Sequence, residues 1–149
     1  MRVLVQRSID SSVSINGKTV GKISKGLVLF VGFTYGDSEK EIDFLINKVI
    51  NLRIFDDENG VMNKSILEAG GDILSISQFT LYADTKKGNR PSYVKALRPE
   101  EATKLYDLFN KKLGSHLHVE TGRFGADMLV NIKNDGPVTI MLEKEGNND

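Results

Sequence analysis

The chain has 149 residues, of which 40% are hydrophobic and 27% are charged, and these proportions are typical of one globular domain. It contains no cysteine, which excludes disulfides, a thiol nucleophile and a thiolate metal site. Lysine plus arginine equals aspartate plus glutamate at 20 each, so any nucleic-acid contact must rest on a local basic patch.

No stretch of the sequence has the length and apolarity of a membrane span. The longest apolar run is LVLFVGF, residues 27–33, whereas a spanning helix needs about 20 apolar residues. The first residues, MRVLVQRS, lack the apolar core of a signal peptide. We therefore expect a single cytoplasmic domain over residues 1–149, with the last residues, EGNND, disordered.

The first 34 residues have the pattern of consecutive strands. Residues 2–8 and 11–16 alternate between apolar and polar side chains, and Asn16-Gly17 is a favoured two-residue hairpin turn into residues 18–24. The unbroken apolar run that follows, within residues 26–33, predicts a strand that is buried on both faces.

Two segments have the pattern of helices. Ser38 and Glu41 are spaced as a capping box at the start of the first helix. Pro99 marks the first turn of the second helix, which is predicted to end near Gly114. Each helix carries one apolar stripe for the core. The stripes are Ile42, Leu45, Ile46 and Val49 in the first helix, and Ala102, Leu105, Tyr106, Phe109 and Leu113 in the second.

The remaining segments favour strands. Residues 52–60 predict a short strand and a turn, and residues 72–84 predict one long strand. Residues 126–133 and 138–144 read as two strands joined by a hairpin at NDGPVT, although Pro137 cannot donate to a sheet ladder. The fold class that we expect is α+β, with mostly antiparallel sheet curled toward a barrel and two main helices.

Several common catalytic motifs are absent. GKT at residues 17–19 lacks the preceding glycine of a phosphate loop, because position 12 is serine. GRFGAD at residues 122–127 lacks the spacing of a dinucleotide site. His116 and His118 would point to opposite faces of a strand and accompany no nucleophile-elbow serine. We therefore expect neither a metal nor a cofactor.

The segment SQFTL, residues 77–81, places polar groups at the end of an apolar strand. In an extended strand Gln78 and Thr80 share one face, and Ser77 and Phe79 share the other. Polar side chains and free backbone N–H groups there could line an oxyanion pocket. The alternative is a half-buried strand whose polar residues bond to neighbouring backbone.

The loop that follows is basic. Lys86, Lys87 and Arg90 lie together, Lys95 and Arg98 come soon after, and no acidic residue interrupts them. Such a cluster can contact a phosphate backbone, and Lys86, Lys87 and Arg90 are the candidate RNA-binding residues. An ordinary solvated loop is the alternative.

Five segments together resemble one known family. SQFTLYAD, KGNRPS, LRIFDDENGVMNKS, TGRFGADM and NDGPVT are similar, in order and spacing, to segments of the D-aminoacyl-tRNA deacylases, and the resemblance extends from MRVLVQR to VTIMLEK. The motifs S-Q-x-x-L and N-x-G-P carry it. Val61, Asn89 and Tyr93 depart from the residues that are usual in the family.

The resemblance implies a homodimer that hydrolyses the ester between a D-amino acid and the terminal adenosine of tRNA, and that also removes glycine mischarged on tRNA-Ala. It implies that the S-Q-x-x-L strand lines a pocket at the dimer interface. Asn134, Gly136 and Pro137 would bind substrate, and the Gly136-Pro137 bond of the other subunit would be cis and enter the pocket, so that L-amino acids are rejected.

Within that pocket Ser77, Gln78, Phe79 and Thr80 are the candidate catalytic residues. An aminoacyl ester is already activated, so positioning and oxyanion stabilisation suffice. We expect backbone N–H groups around Gln78 and Phe79 to form the oxyanion hole. Thr80 would lie close to the scissile carbonyl, either as a nucleophile or as a positioning group, and we favour positioning because no neighbouring residue in the sequence is an obvious base. The ribose 2′-hydroxyl is the candidate assisting group, as the resemblance also implies.

Phe124 and Met128 are candidate contacts for the adenosine, with core packing as the alternative. Two other functions remain open from the sequence. One is an RNA-binding module without catalysis, which would use the basic loop alone. The other is a deacylase that accepts L-amino acids, which the intact NDGPVT segment disfavours.

Overall fold

A computed structural model describes residues 1–146. The disorder predicted for EGNND therefore falls partly on residues 147–149, which lie outside the described residues. The secondary structure comprises seven strands, three α-helices and one 3₁₀ turn within residues 1–146. The strands are β1 (Arg2–Ile15), β2 (Lys18–Gly32), β3 (Phe55–Asp56), β4 (Met62–Lys64), β5 (Asp72–Ser77), β6 (Val119–Thr121) and β7 (Leu129–Glu143). The helices are α1 (Glu39–Asn51), α2 (Ile66–Ala69) and α3 (Pro99–Leu113), and the 3₁₀ turn is Phe79–Tyr82.

A long hairpin of β1 and β2 forms the centre of the sheet. Asn16 and Gly17 both have positive φ, at 52° and 80°, as a two-residue hairpin turn requires, so the predicted turn is confirmed. The separate short strands predicted on either side of it are wrong, because β1 and β2 each run on as one strand.

The five-stranded sheet has the order β6-β5-β2-β1-β7. β1 is antiparallel to β2 and to β7, whereas β5 is parallel to both β2 and β6. The α+β class is confirmed, but the sheet is mixed rather than mostly antiparallel. Within residues 1–146 the edge strands β6 and β7 are not paired with each other, so no closed barrel is formed.

Helices cover one face of the sheet and form the main core. The capping box of Ser38 and Glu41 is present, and α3 begins at Pro99 and is capped by Gly114, as predicted. Every predicted stripe residue is buried except Leu105, which is partly buried against the same core. The opposite face carries a smaller cluster. This second cluster comprises Val13, Ile23, Val28, Leu74 and Ile76, with Phe30, Met128, Val130 and Ile132 only partly buried.

The long strand predicted over residues 72–84 is wrong beyond Ser77. β5 ends there, and Phe79–Tyr82 turns as a 3₁₀ helix. The strand-facing pattern expected for residues 77–81 is therefore also wrong. The apolar and aromatic composition of the segment favours a strand, and local periodicity cannot reveal the turn that replaces it.

The predicted hairpin at NDGPVT is also wrong. β7 continues through it and pairs with β1 on both sides, with Asn134 opposite Ser8 and Thr139 opposite Gln6. More residues separate the two positions on β7 than on β1, so the Gly136-Pro137 segment bulges from the ladder. An edge strand tolerates the proline, because one side of its backbone has no partner to lose.

No helix in the described part of the chain is long and apolar enough to cross a membrane. Nor do residues 1–146 contain a group of three or more histidine, cysteine or acidic side chains placed to hold a metal ion.

Candidate active site

A pocket lies at the carboxyl ends of the parallel strands β2 and β5. It has a volume of about 660 Å³, which is within the range of small-molecule sites. Ligands commonly bind at this edge of parallel strands. The lining comprises Val31–Phe33 and Ile76–Phe79 from the strand ends, Tyr93, residues 96–99 and Ala102 from the loop and start of α3, and Phe124–Met128 with Val130 from the segment before and within β7.

Of the four predicted catalytic residues, three line the pocket directly. These are Ser77, Gln78 and Phe79. Thr80 does not line it, but its hydroxyl accepts a hydrogen bond from the Gln78 side-chain amide, with 2.6 Å between Nε2 and Oγ1. The structure thus joins Thr80 to the pocket through Gln78.

Backbone N–H groups are free where the strand becomes a turn. The N–H of Gln78 donates to the Val31 carbonyl at 2.8 Å and is not available to a ligand. The N–H groups of Phe79 and Thr80 have no hydrogen-bond partner within residues 1–146, because the first N–H groups of a helical turn lack one. The free donors are therefore one residue further along the chain than the sequence suggested.

Two residues that shape this turn were missed from the sequence. A Cβ on Gly32 would lie 2.8 Å from the Gln78 carbonyl oxygen, so only glycine fits at that close approach. Arg2 donates to the Leu81 carbonyl at 2.7 Å, and its guanidinium lies 4.4 Å from the centre of the Tyr82 ring. The glycine at the end of an apolar strand was the one available signal, and Arg2 is remote in sequence.

The pocket offers little acid-base chemistry. Its ionisable lining residues are Tyr93, Arg98 and Asp127, and no histidine or cysteine lies among the described lining residues. Tyr106 lies outside the pocket lining, and burial raises its pKa. Its hydroxyl donates to the Ser75 carbonyl at 2.9 Å. Tyr106 therefore stays neutral at physiological pH, and the arrangement suits a reaction that needs hydrogen-bond donors more than a base.

Phe124 and Met128 both line the pocket. Each also packs against a core cluster, Phe124 beside Tyr106 with 6.0 Å between ring centres and Met128 on the second cluster. Both residues thus take part in core packing and also line the pocket, and their contact with the adenosine stays a prediction.

Asn134, Gly136 and Pro137 lie on β7, outside the pocket lining of their own chain. The Gly136-Pro137 bond is cis, as predicted. Asn134 spans the base of the bulge, because its side-chain amide donates to the carbonyls of Arg7 at 3.1 Å and Val138 at 3.0 Å. Its side chain is therefore committed to holding the bulge.

Arg7 is a buried cation that supports this bulge. Its Nη1 donates to the Ile54 carbonyl at 2.8 Å, and its Nε donates to the Asp135 carbonyl at 3.2 Å. The carboxylates of Asp56 and Asp135 lie 3.6 and 3.3 Å away. Gly136 is exposed, and Arg7 holds the preceding residue, Asp135, through these contacts.

Lys86, Lys87 and Arg90 lie on an exposed loop, and their side chains have no ion-pair or hydrogen-bond partner within residues 1–146. Asp84 and Ser92 close this loop by exchanging two backbone hydrogen bonds of 2.8 and 2.9 Å. The Lys86 N–H and the charge of Lys95 lower the pKa of Asp84. The loop closes at Ser92, immediately before the pocket residue Tyr93, whereas Lys86, Lys87 and Arg90 do not themselves line the pocket.

The chain matches a known family over most of its length. The family model described as D-Tyr-tRNA(Tyr) deacylase matches residues 4–143. D-aminoacyl-tRNA deacylase from Brevibacillus brevis is 57% identical over 144 residues, which are 96% of this chain and 99% of that protein. The enzyme of that name from Bacteroides thetaiotaomicron is 57% identical over 145 residues, covering 96% and 97% of the two chains.

Solved structures agree on the fold. The structure titled c-Myc DNA Unwinding Element Binding Protein has a TM-score of 0.93 at 38% identity, covering 97% of this chain and 99% of that one. A probable eukaryotic D-amino acid tRNA deacylase has a TM-score of 0.82 at 17% identity, covering 95% and 97%, and this likeness concerns the fold alone.

The family model and the curated relatives agree on a class of enzyme, the hydrolases that act on aminoacyl-tRNA. Within that class, the chain belongs to the D-aminoacyl-tRNA deacylase family.

Proposed function

We propose that this chain hydrolyses the ester of D-aminoacyl-tRNA as a homodimer, releases the free D-amino acid and the tRNA, and rejects L-amino acids through the Gly136-Pro137 segment. Glycyl-tRNA is a further substrate in this proposal, because glycine has no side chain to exclude. The observation that carries the proposal is a pocket without an acid-base dyad, lined by Phe79, where the backbone N–H groups of Phe79 and its neighbour Thr80 have no partner within residues 1–146.

In the proposed reaction, water attacks the ester carbonyl carbon and the bond to the ribose oxygen breaks. The N–H groups of Phe79 and Thr80 stabilise the negative charge that develops on the carbonyl oxygen. The leaving ribose oxygen takes the proton, and the neighbouring 2′-hydroxyl assists. Thr80 positions the substrate, because its partner Gln78 is an amide and cannot act as a base.

A second copy of the chain accounts for two features of the fold. The partly buried side chains of Phe30, Met128, Val130 and Ile132 leave the second cluster incompletely covered on its sheet face. The Gly136-Pro137 bulge is exposed on the edge strand β7 and does not line the pocket of its own chain. In the proposed dimer this bulge enters the pocket of the other subunit.

Stereochemical rejection then comes from backbone that is held in place. D and L substrates differ by exchanging hydrogen and the side chain at one carbon, and a fixed wall on one side excludes the larger group. Arg7 and Asn134 hold the bulge from beneath through four hydrogen bonds to backbone carbonyls. Phe124 and Met128 contact the adenosine, and Lys86, Lys87 and Arg90 contact phosphates of the tRNA.

The test is hydrolysis of D-tyrosyl-tRNA, L-tyrosyl-tRNA and glycyl-tRNA by the full chain, together with sedimentation to determine its oligomeric state. Rapid loss of the D-tyrosyl and glycyl esters, a stable L-tyrosyl ester and a dimer are expected. RNA binding without ester loss would support the non-catalytic module instead, and equal loss of both tyrosyl esters would exclude stereochemical rejection.

A further inference from the structure

Two exposed aromatic side chains form the rim of the pocket. Phe79 and Tyr93 meet edge to face, with 5.2 Å between ring centres and an interplanar angle of 70°. They are 55% and 43% exposed, whereas the apolar residues deeper in the pocket, such as Ile76, are buried. In an edge-to-face pair each ring keeps a face that its partner does not cover, so the rim presents open aromatic surface.

The position of Tyr93 is fixed by backbone pairing on both sides. Ser92, immediately before it, exchanges two hydrogen bonds with Asp84. The carbonyl of Tyr93 accepts a hydrogen bond from the Ala96 N–H at 3.0 Å, and the Leu97 N–H donates to the Phe33 carbonyl at 3.0 Å. An aromatic ring held on a fixed backbone loses little freedom when a ligand stacks on it.

Cationic side chains occur in the pocket lining and on the loop that closes immediately before Tyr93. Arg90 lies just before the Asp84–Ser92 closure, on the loop with Lys86 and Lys87, and Arg98 lines the pocket on the side of α3. These four side chains have no ion-pair partner among the described residues, although Asp127 also lines the pocket. Aromatic rings interleaved with cations are the pattern of surfaces that bind single-stranded nucleic acid.

We infer that Phe79 and Tyr93 form a stacking platform for the unpaired base that precedes the terminal adenosine of the tRNA, while these four cations bind the adjoining phosphates. The inference rests on the proposed function, which places the terminal aminoacyl-adenosine inside the pocket. The next nucleotide of the single-stranded 3′ tail must then leave across the rim. Stacking is tolerant of base identity, which suits an enzyme that acts on many tRNAs.

The test compares two substrates of wild type, Tyr93→Ala and Tyr93→Phe. One substrate is a D-tyrosyl minihelix ending in CCA, and the other is the same minihelix with an abasic nucleotide in the penultimate position. Stacking of a base on an aromatic side chain strengthens binding by roughly tenfold or more. We therefore expect Tyr93→Ala to lower kcat/KM on the normal minihelix on the order of tenfold and to add little to the loss caused by the abasic site.

Tyr93→Phe keeps the ring and should retain most of the stacking, whereas Tyr35→Ala removes an exposed tyrosine outside the pocket and is the matched control. Equal losses from Tyr93→Ala on both minihelices, or no loss on either, would overturn the inference. So would a change of oligomeric state in Tyr93→Ala with an unaltered ratio between the substrates, because the platform would then be a contact between copies of the chain.

Failure of the proposed function can be distinguished from failure of this inference. Binding of the uncharged minihelices is measured by fluorescence anisotropy, which requires no ester hydrolysis. In one outcome, wild type hydrolyses no D-tyrosyl ester yet binds the normal minihelix more tightly than the abasic one, with Tyr93→Ala abolishing that difference in affinity. That result would support the stacking platform and refute the proposed reaction. If the affinities are equal, the platform is refuted whatever the activity.

Discussion

The side-chain amide of Gln78 donates a hydrogen bond to the hydroxyl of Thr80, with 2.6 Å between Nε2 and Oγ1. An amide nitrogen that donates cannot remove a proton, so this contact fixes the Thr80 oxygen without activating it as a nucleophile. The relationship supports the proposal that Thr80 positions the substrate rather than attacks it.

Replacing Thr80 by alanine should therefore leave substantial deacylation, within about a hundredfold of wild type, because only positioning is lost. Removing the 2′-hydroxyl of the terminal adenosine should abolish turnover by wild type. Single-turnover hydrolysis of D-tyrosyl-tRNA measures both. Complete loss in Thr80→Ala, with the 2′-deoxy substrate still hydrolysed, would establish Thr80 as the nucleophile.

Arg2 should affect catalysis through the 3₁₀ turn, since it donates to the Leu81 carbonyl and stacks over Tyr82. Arg2→Ala is expected to lower kcat on the order of tenfold with a smaller change in KM, because a displaced turn misplaces the oxyanion donors. Arg2→Lys keeps a donor and should recover part of the loss. Steady-state kinetics on D-tyrosyl-tRNA provide the measurement.

Arg53→Ala is the matched control for Arg2, because Arg53 is an exposed arginine whose Nε donates to the Asn63 carbonyl, away from the pocket. Thermal melting of all three variants separates positioning from folding. A kcat for Arg2→Ala that falls only in proportion to the folded fraction would show that Arg2 is merely structural.

Local signals in the sequence predicted the parts of the fold that depend on a few adjacent residues. Asn16-Gly17 has its turn because positive φ is favourable there, and Ser38 with Glu41 satisfies the first N–H groups of α1. Both arrangements are decided within a few residues, so a single sequence suffices to predict them.

Those local signals do not predict pairings between distant segments. The NDGPVT segment looks like a hairpin in isolation, and only the pairing of Asn134 with Ser8 and of Thr139 with Gln6 turns it into a bulge. Likewise, Phe79 meets Tyr93 only because the intervening loop is closed between Asp84 and Ser92. Strand register is set by burial across the sheet and is not encoded in either strand alone.

Replacing Arg7 by methionine should weaken both folding and stereochemical rejection. The carbonyls of Ile54 and Asp135 would lose their donor, at a cost of about 1–3 kcal/mol in the free energy of unfolding. The Gly136-Pro137 segment would also lose its support, so the rate ratio of D- to L-tyrosyl-tRNA hydrolysis should fall. Urea unfolding and parallel hydrolysis assays measure the two effects.

Ser14→Ala is a suitable control for Arg7, because Ser14 lies on the same strand opposite Leu129, away from the bulge, and its side chain has no hydrogen-bond partner within residues 1–146. Its D to L ratio should match wild type. If Arg7→Met unfolds more easily while its D to L ratio stays at the wild-type value, the bulge is not held by Arg7 for stereochemical rejection.

The basic loop should account for part of the salt dependence of tRNA binding. Each phosphate contact contributes about 0.7 to 0.9 to the slope of log K against log salt concentration. Changing Lys86, Lys87 and Arg90 to serine together should therefore reduce the magnitude of that slope by about 2. Removing the same number of charges at Lys18, Lys48 and Lys111 is the control, and equal slopes for the two triple variants would contradict a specific contact.

Glu41 should make the stability of the protein depend on acid pH. Burial raises the pKa of Glu41, but hydrogen bonds from the Ser38 hydroxyl and backbone N–H outweigh it, so the pKa lies below the ordinary value of 4.5. The ionised carboxylate therefore contributes its full stabilisation above pH 4.5, and this is lost as pH falls from there through the lowered pKa.

Glu41→Gln keeps an acceptor but removes the charge, so at neutral pH it should unfold about 1 kcal/mol more easily than wild type. Urea unfolding from pH 7 to pH 3 should show this difference shrinking below pH 4.5. Glu100→Gln, at an exposed carboxylate in the first turn of α3, is the control and should cost less. A difference between Glu41→Gln and wild type that stays constant over the whole range would show that the capping carboxylate does not titrate with folding.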